Sequence, residues 1–470
     1  MIAFTYPKTP ENDKICQTLS SGGSMDKYKI DPFSELDFRK VLSDLLSIPS
    51  IKSEPTAEAP YGTATVQALD CILRYAAANG LSVANLDNRV GYAQWGAGEK
   101  MVAVLSHLDV VPPGEGWDSD PFSLVIKDGQ LIGRGITDNK GPAVCSLFAL
   151  LRLKESGYQP SCRIRLIFGL DEEHGCDCMR HYVKVAELPD TGFTPDASFP
   201  AIYAEKGIMQ IRLSGPGSSD INAIGGDAYN MVPSSCSITD LQTGIISSTL
   251  GTQAHASTPE KGDNAIIKAV FARSESIAGT NPVFDFLLRY SVLNEDLKNL
   301  ITVAKPDISG SLTINTGMIR ISREESSVGI DIRYPVKSDG DAVFKEVSGK
   351  ASEFGLAAEI VDRLPPLFTD PRSTAMVALR SAYEKHIPIA YKASYPDESN
   401  VPEAYRSADP IAIGGGTYAR SVPGIVAFGP RFPWEEDRMH QKNESCSEKS
   451  LLASVDLYRD ALTALCETVY

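Results

Sequence analysis

The chain has 470 residues, 43% hydrophobic and 22% charged, with a formal net charge of −15. Its length predicts two or three domains, and its composition is that of a globular protein with large cores. The acidic balance argues against nucleic acid and anionic membranes as partners, and no stretch reaches the ~18 apolar residues of a membrane span.

Residues 1–24 are polar and carry Ser20-Ser21-Gly22-Gly23-Ser24. Lys8, Glu11, Asp13 and Lys14 interrupt any apolar run, so no secretory signal is read there. The segment is expected to be a disordered extension, with Met25 as an alternative start. The nine cysteines are odd in number and scattered, which fits free thiols of a reducing compartment rather than a disulfide framework. A cytoplasmic protein is expected.

From Glu35 to Leu46 apolar residues recur at helical spacing, and a second helix fits Ala64–Ala78, before Asn79-Gly80. Met101–Leu105 is a continuous apolar run, the pattern of a strand covered on both faces. Gly141–Lys154 reads as a helix and Arg163–Gly169 as a strand that stops just before Asp171-Glu172-Glu173. This alternation predicts an α/β domain with a mostly parallel central sheet. After about Gly207 the pattern changes. Ile208–Leu213, Ser311–Thr316 and Ser327–Arg333 alternate like strands of a sheet with one polar face, with one helix at Asn264–Ala272. A helix near Thr374–Lys385 restores the first pattern. The expected organisation is therefore a catalytic domain over 25–206 and 374–470, interrupted by an inserted α+β domain over 207–373.

The chain has six histidines, and two stand in contexts suited to a metal. Ser106-His107-Leu108-Asp109 closes an apolar strand, where open α/β sheets place their ligands. With strand geometry His107 and Asp109 face the same way, so Asp109 can orient the ring and strengthen its free nitrogen as a ligand. Asp138 sits in Gly133-Arg134-Gly135-Ile136-Thr137-Asp138-Asn139-Lys140-Gly141 just before a helix, where one carboxylate can bridge two cations. Asp171-Glu172-Glu173 follows a buried strand, and three dry acids are costly without a cation. Their neighbouring side chains diverge, so one Glu can ligate while the other accepts a proton. Asp196 and His440 complete a set with oxygen and nitrogen donors suited to zinc. Taken singly, the His107 motif reads better as a solvated loop and the acidic run as a solvated surface, and the Asp138 loop alone is a weak signal beside a helix cap.

Taken together, the motifs resemble the M20 family of metallopeptidases. The likeness lies in Ser106-His107-Leu108-Asp109-Val110-Val111-Pro112, Gly116-Trp117, Asp120-Pro121-Phe122, the Gly133–Gly141 loop and Asp171-Glu172-Glu173. Phe193-Thr194-Pro195-Asp196-Ala197, Ala254-His255-Ala256-Ser257, Asp331-Ile332-Arg333-Tyr334-Pro335, Gly414–Arg420 and His440-Gln441-Lys442-Asn443-Glu444 look like its dipeptidase V branch. The likeness runs from about Met25 onward. It implies a zinc dipeptidase whose inserted domain acts as a lid. His107, Asp138 and Asp196 would bind one Zn2+, and Asp138, Glu173 and His440 the other, with Co2+ or Mn2+ as substitutes. Asp109 would orient His107, and Glu172 would be the general base. His255 would stabilise the oxyanion. Asn230, Arg333 and the Gly416 backbone would meet the peptide, with Arg333 on its C-terminal carboxylate. An enlarged lid completes the site within one chain, which implies a monomer and leaves a dimer open. The same metal chemistry would serve an amidohydrolase, a deacetylase or desuccinylase of N-acyl amino acids. The resemblance is imperfect at His174, Cys176 and Cys178, potential ligands beside the expected site that are read as a loop histidine and ordinary thiols. His181 and His386 are read as surface or structural residues on helices.

Overall fold

The structure, a computed structural model, describes residues 25–290 and 300–469, so the expectation for 1–24 lies outside the described residues. It forms two compact units. One gathers the described residues up to Ile202 with Asp370–Pro410 and those from Thr417 onward. The other gathers Tyr203–Thr369 and the short stretch Ile411–Gly416.

The first unit is built on a sheet whose central strands are parallel. Arg163–Gly169, Met101–His107, Thr191–Thr194 and Ile425–Ala427 lie side by side in that order. Val90–Trp95 joins antiparallel to Arg163–Gly169, and Ser82–Leu86 follows it. This is the α/β fold with a mostly parallel sheet that the alternation predicts. Met101–His107 is buried along its whole length, as an apolar strand packed on both faces must be. It runs two residues past the apolar stretch and so carries His107 at its C-terminal end. The helices Lys140–Glu155 and Glu448–Cys466 pack on this strand and on each other. Lys140–Glu155 is buried nearly all round, from Lys140 to Leu153, which its apolar sequence permits. Gly141 lets it start where it does. A Cβ there would stand 2.0 Å from the Ile136 carbonyl oxygen, so no other residue fits without moving the loop before it.

The expectation of free thiols does not hold throughout. Cys162, at the entrance of Arg163–Gly169, and Cys466, at the end of Glu448–Cys466, form a disulfide with a Cα–Cα distance of 5.8 Å. Their sequence separation of 304 residues hides a proximity created by packing a helix over the sheet. Cys71, Cys145, Cys176, Cys178, Cys236 and Cys446 are free. No helix among the described residues is long and apolar enough to cross a membrane.

The second unit is a seven-stranded antiparallel sheet. Its order is Ile246–Leu250, Ser235–Asp240, Ile221–Gly225, Thr313–Ile321, Glu325–Tyr334, Gly207–Pro216 and Ala357–Leu364. Val328, Ile330, Ile332 and Tyr334 share one face of Glu325–Tyr334 and enter a core with Ile266, Val270, Phe284, Leu287, Val343 and Val347. Those partners come from the helices Ala265–Ala272, Pro282–Tyr290 and Gly340–Ser352. The opposite face of the same strand therefore carries Asp331 and Arg333. Only the first of these helices was expected; Pro282–Tyr290 and Gly340–Ser352 were not read from the sequence.

Candidate metal centre

The parallel strands deliver the chemistry at their C-terminal ends. His107 closes one strand, Glu172 and Glu173 follow Gly169, and Asp196 follows Thr194. Asp138 precedes the helix Lys140–Glu155, and His440 lies on a segment where it adopts a left-handed φ of 60°. All six residues belong to the first unit.

Asp138 lies between the two histidines. Its Oδ1 is 2.9 Å from His107 Nε2 and its Oδ2 is 2.8 Å from His440 Nε2. Asp196 Oδ1 stands 3.6 Å from His107 Nε2, and Glu173 Oε1 stands 3.2 Å from His440 Nε2. The ligand atoms of His107, Asp138 and Asp196 all lie within 4.8 Å of one another, and so do those of Asp138, Glu173 and His440. A third grouping, His107 with Glu172 and Glu173, meets the same distance. His174, Cys176 and Cys178 enter none of these groups among the described residues. Cys178 is buried against the Tyr418 hydroxyl at 3.3 Å. His181 pairs with Asp87 at 2.8 Å and His386 with Asp460 at 3.0 Å, both on helices away from the groups.

The electrostatics describe a pocket short of positive charge. Burial opposes a charged His107, yet hydrogen bonds to Asp109, Asp138 and Asp196 raise its pKa well above the usual imidazole value. Hydrogen bonds to Asp138 and Glu173 push His440 up to about 10. Burial works to raise Asp138, but both histidines hold it below the usual carboxylate range. Burial, and then the charge of Asp196, lift Glu172 well above its ordinary value. Burial also raises Glu173, against the pull of His440. Divalent cations would supply the missing charge and turn the histidines into neutral ligands. The donor set of carboxylate oxygens and imidazole nitrogens fits such ions.

The surrounding hydrogen bonds refine the expected roles. His107 Nδ1 meets the Asp109 main-chain carbonyl at 3.0 Å, nearer than the Asp109 carboxylate at 3.5 Å. That carboxylate instead accepts the N–H groups of Glu172 and Glu173, at 3.1 and 3.2 Å. Asp109 thus ties the His107 strand end to both glutamates. Asp171 turns away from the groups and pairs with Lys52 at 2.7 Å. Asn139 donates to the Pro195 carbonyl at 2.6 Å and to Asp196 Oδ1 at 3.3 Å, so it orients Asp196. Asn139 was noted only within the loop that carries Asp138, and Lys52 not at all, because their partners lie far along the chain.

Asn230, His255, Arg333 and Gly416 all lie in the second unit. The Asn230 carbonyl accepts the Ala256 N–H at 2.9 Å. His255 Nδ1 accepts the Ser257 N–H at 3.2 Å, which leaves the proton of a neutral ring on Nε2. Burial, and then the charge of Arg333, lower the His255 pKa. Arg333 is buried with both its Nε and Nη2 on Asp331, at 2.5 and 2.9 Å, while Nη1 reaches the Gly414 carbonyl at 3.3 Å. One edge of the planar fork is therefore occupied within the unit. Asp331 does not occupy the edge formed by the two Nη atoms, where Nη1 meets the Gly414 carbonyl.

Residues 103–464 match the family described as Peptidase family M20/M25/M40. The Bacillus subtilis (strain 168) protein named "Putative dipeptidase YtjP" is 33% identical over 469 residues, spanning 91% of this chain and 97% of that one. The crystal structure of human carnosine dipeptidase 1 is similar in fold, with a TM-score of 0.55 at 15% identity, covering 98% of this chain and 100% of that chain. The di-peptidase Dug1p from Saccharomyces cerevisiae gives 0.54 at 16% identity, covering 94% and 97%.

Proposed function

The chain belongs to peptidase family M20/M25/M40, a family of metal-dependent peptide-bond hydrolases, and from that premise we propose that it is a di-zinc dipeptidase. Its substrates on this reading are dipeptides or other short peptides with a free C-terminal carboxylate. The observation that carries the reading is the division of Asp138, with one oxygen toward His107 and the other toward His440. His107, Asp138 and Asp196 would hold one zinc, and Asp138, Glu173 and His440 the other. The dipeptidase names of the relatives supply the substrate class.

When bound, such a pair of ions lowers the pKa of a water and polarises the scissile carbonyl. The protein's own groups do the rest. Glu172, held through its N–H by Asp109, takes a proton from the attacking water and returns it to the leaving amine. Its raised pKa favours holding that proton, and the two cations would draw it back toward ionisation. His255 donates its Nε2–H to the developing oxyanion, a contribution of about 3–4 kcal/mol for a well-placed donor. Arg333 offers the edge that Asp331 leaves open to the C-terminal carboxylate, with Asn230 and the Gly416 backbone beside the peptide. If the second unit serves the metal site of its own chain, the active form is a monomer, with a dimer as the alternative.

The test is product analysis on a small library of dipeptides with N-acetylated amino acids as controls, after metal analysis of the same preparation. Dipeptide cleavage with two zinc ions per chain supports the proposal. Preference for the acylated controls would make the protein an amidohydrolase. Full metal content without turnover would make it a binding protein.

A further inference from the structure

Glu444 takes no part in the reaction proposed above, yet it is wholly buried. Its Oε1 accepts from the Thr137 N–H at 2.8 Å, the Thr137 hydroxyl at 2.7 Å and the Asp138 N–H at 3.2 Å. Its Oε2 accepts from Arg134 Nη1 at 2.8 Å and the Gly135 N–H at 3.0 Å. Even its main-chain carbonyl accepts the Gly133 N–H, at 3.0 Å. Every donor lies on the loop from Gly133 to Asp138, and the last of them is the backbone of Asp138 itself.

A carboxylate this deep is costly unless it is paired and hydrogen-bonded. Both conditions are met. Arg134 is as buried as its partner and rests on the Trp117 ring at 5.3 Å. Gly135 takes a φ of +88°, which bends the loop so that N–H groups on both sides of Ile136 converge on one acid. Glu444 also follows His440 by a single turn's worth of chain. One short segment thus supplies a histidine to Asp138 Oδ2 and the clamp for the loop that carries Asp138.

We infer that Glu444 is the positioning residue of the Asp138 carboxylate, fixing the Gly133–Asp138 loop so that one oxygen faces His107 and the other His440. This rests on the reading of Asp138 as a ligand to both ions. A carboxylate is needed for the purpose, because all of its partners are donors. The amide of a glutamine would turn one acceptor into a donor and face either the Arg134–Gly135 pair or the Thr137–Asp138 pair with a proton.

The experiment compares zinc affinity by chelator competition, and the visible absorption of the cobalt-substituted protein, for wild type, Glu444→Gln, Thr137→Val and Glu448→Gln. Glu444→Gln is expected to bind zinc about 10–100-fold more weakly, the usual effect of removing a partner behind the ligands, and to shift the cobalt spectrum. Thr137→Val removes one of the Oε1 donors and should move both readouts the same way by less. Glu448→Gln weakens the partly exposed ion pair with Arg39, so it should lower Tm slightly at most and leave affinity and spectrum alone. A Glu444→Gln protein with wild-type affinity and spectrum overturns the inference, whatever its Tm. If that variant does not fold, unchanged affinity and spectrum in Thr137→Val overturn it instead. Asp138→Ala separates the layers. Should it retain both ions, the bridging reading itself fails. Should it lose them while Glu444→Gln keeps them, only the positioning role fails.

Discussion

Arg333 was expected to await a substrate carboxylate, and the structure shows it already engaged. Asp331 takes Nε and Nη2, at 2.5 and 2.9 Å, and both side chains are almost completely buried. Removing one member of such a pair strands the other as a buried charge, which costs about 3–5 kcal/mol. Asp331→Ala leaves the guanidinium with the Gly414 carbonyl at 3.3 Å and without the carboxylate that paired with it, so its cost should lie in that range, about 3–5 kcal/mol. Arg333→Ala leaves Asp331 with the Gln210 amide, also at 3.3 Å, with a similar expected loss. The double variant strands neither charge and should be no less stable than either single one, which makes the two losses strongly non-additive. Urea unfolding of the three variants gives this cycle. Kinetics then ask whether the pair also serves the substrate. Arg333→Ala, assayed at a temperature where it stays folded, should raise KM for a free dipeptide and change little for its C-terminal amide. Single variants that each lose under about 1 kcal/mol, with a double variant equal to their sum, would refute the stranded-charge reasoning. Equal KM effects on free and amidated substrates would reduce Arg333 to a structural residue.

Glu172→Gln should keep the metals and lose about 10²–10⁴-fold in kcat, the usual worth of a general base; near wild-type kcat with normal zinc content would remove Glu172 from that role. His107→Ala, Asp138→Ala and His440→Ala should each lower metal content and activity together, as read by metal analysis after gel filtration. Asp138→Ala should be the worst, since it would serve both ions. His255→Ala should leave zinc content untouched and depress kcat, because the oxyanion develops only in the transition state. Mixing that variant with a metal-site variant should restore no activity, and restored turnover would mean a site shared between two chains.

Much of the framework was readable because it depends on local periodicity. The helix Glu35–Leu46 and the strand Arg163–Gly169 have the bounds their apolar spacing predicts. The residues around Asp138 were readable because acids and histidines at the ends of apolar strands are costly without a purpose. Longer-range choices were not readable. The helix near Thr374 continues through Pro388 to Ser394, although proline usually marks an end. The residues flanking Pro388 include the buried His386, Ile387 and Ala390, so tertiary packing outweighs the lost donor. Glu444 looked like the tail of a histidine motif, and nothing near it announces a partner loop 310 residues away. Arg333 was given a substrate role over pairing with an acid of its own domain, and that acid is Asp331, two residues before it on the strand.

The strand order has a consequence for how the protein is made. Ile425–Ala427 pairs with Thr191–Thr194 on one side and meets Ile202 on the other, so it fills an interior place in the first sheet. It is encoded after Tyr203–Thr369, which contains nearly all of the second unit. A ribosome therefore delivers every strand of the seven-stranded sheet while the parallel sheet still has a gap. Domains tend to fold as units in the order of synthesis, but the unit begun first here must wait to be completed last. Until then its neighbouring strand edges stand open to pairing with the wrong partner, and the pocket around Asp138 lacks His440. Nascent chains halted before residue 425 should accordingly hold a folded second unit and no peptidase activity, and the vulnerable interval of synthesis lies in the middle of the message.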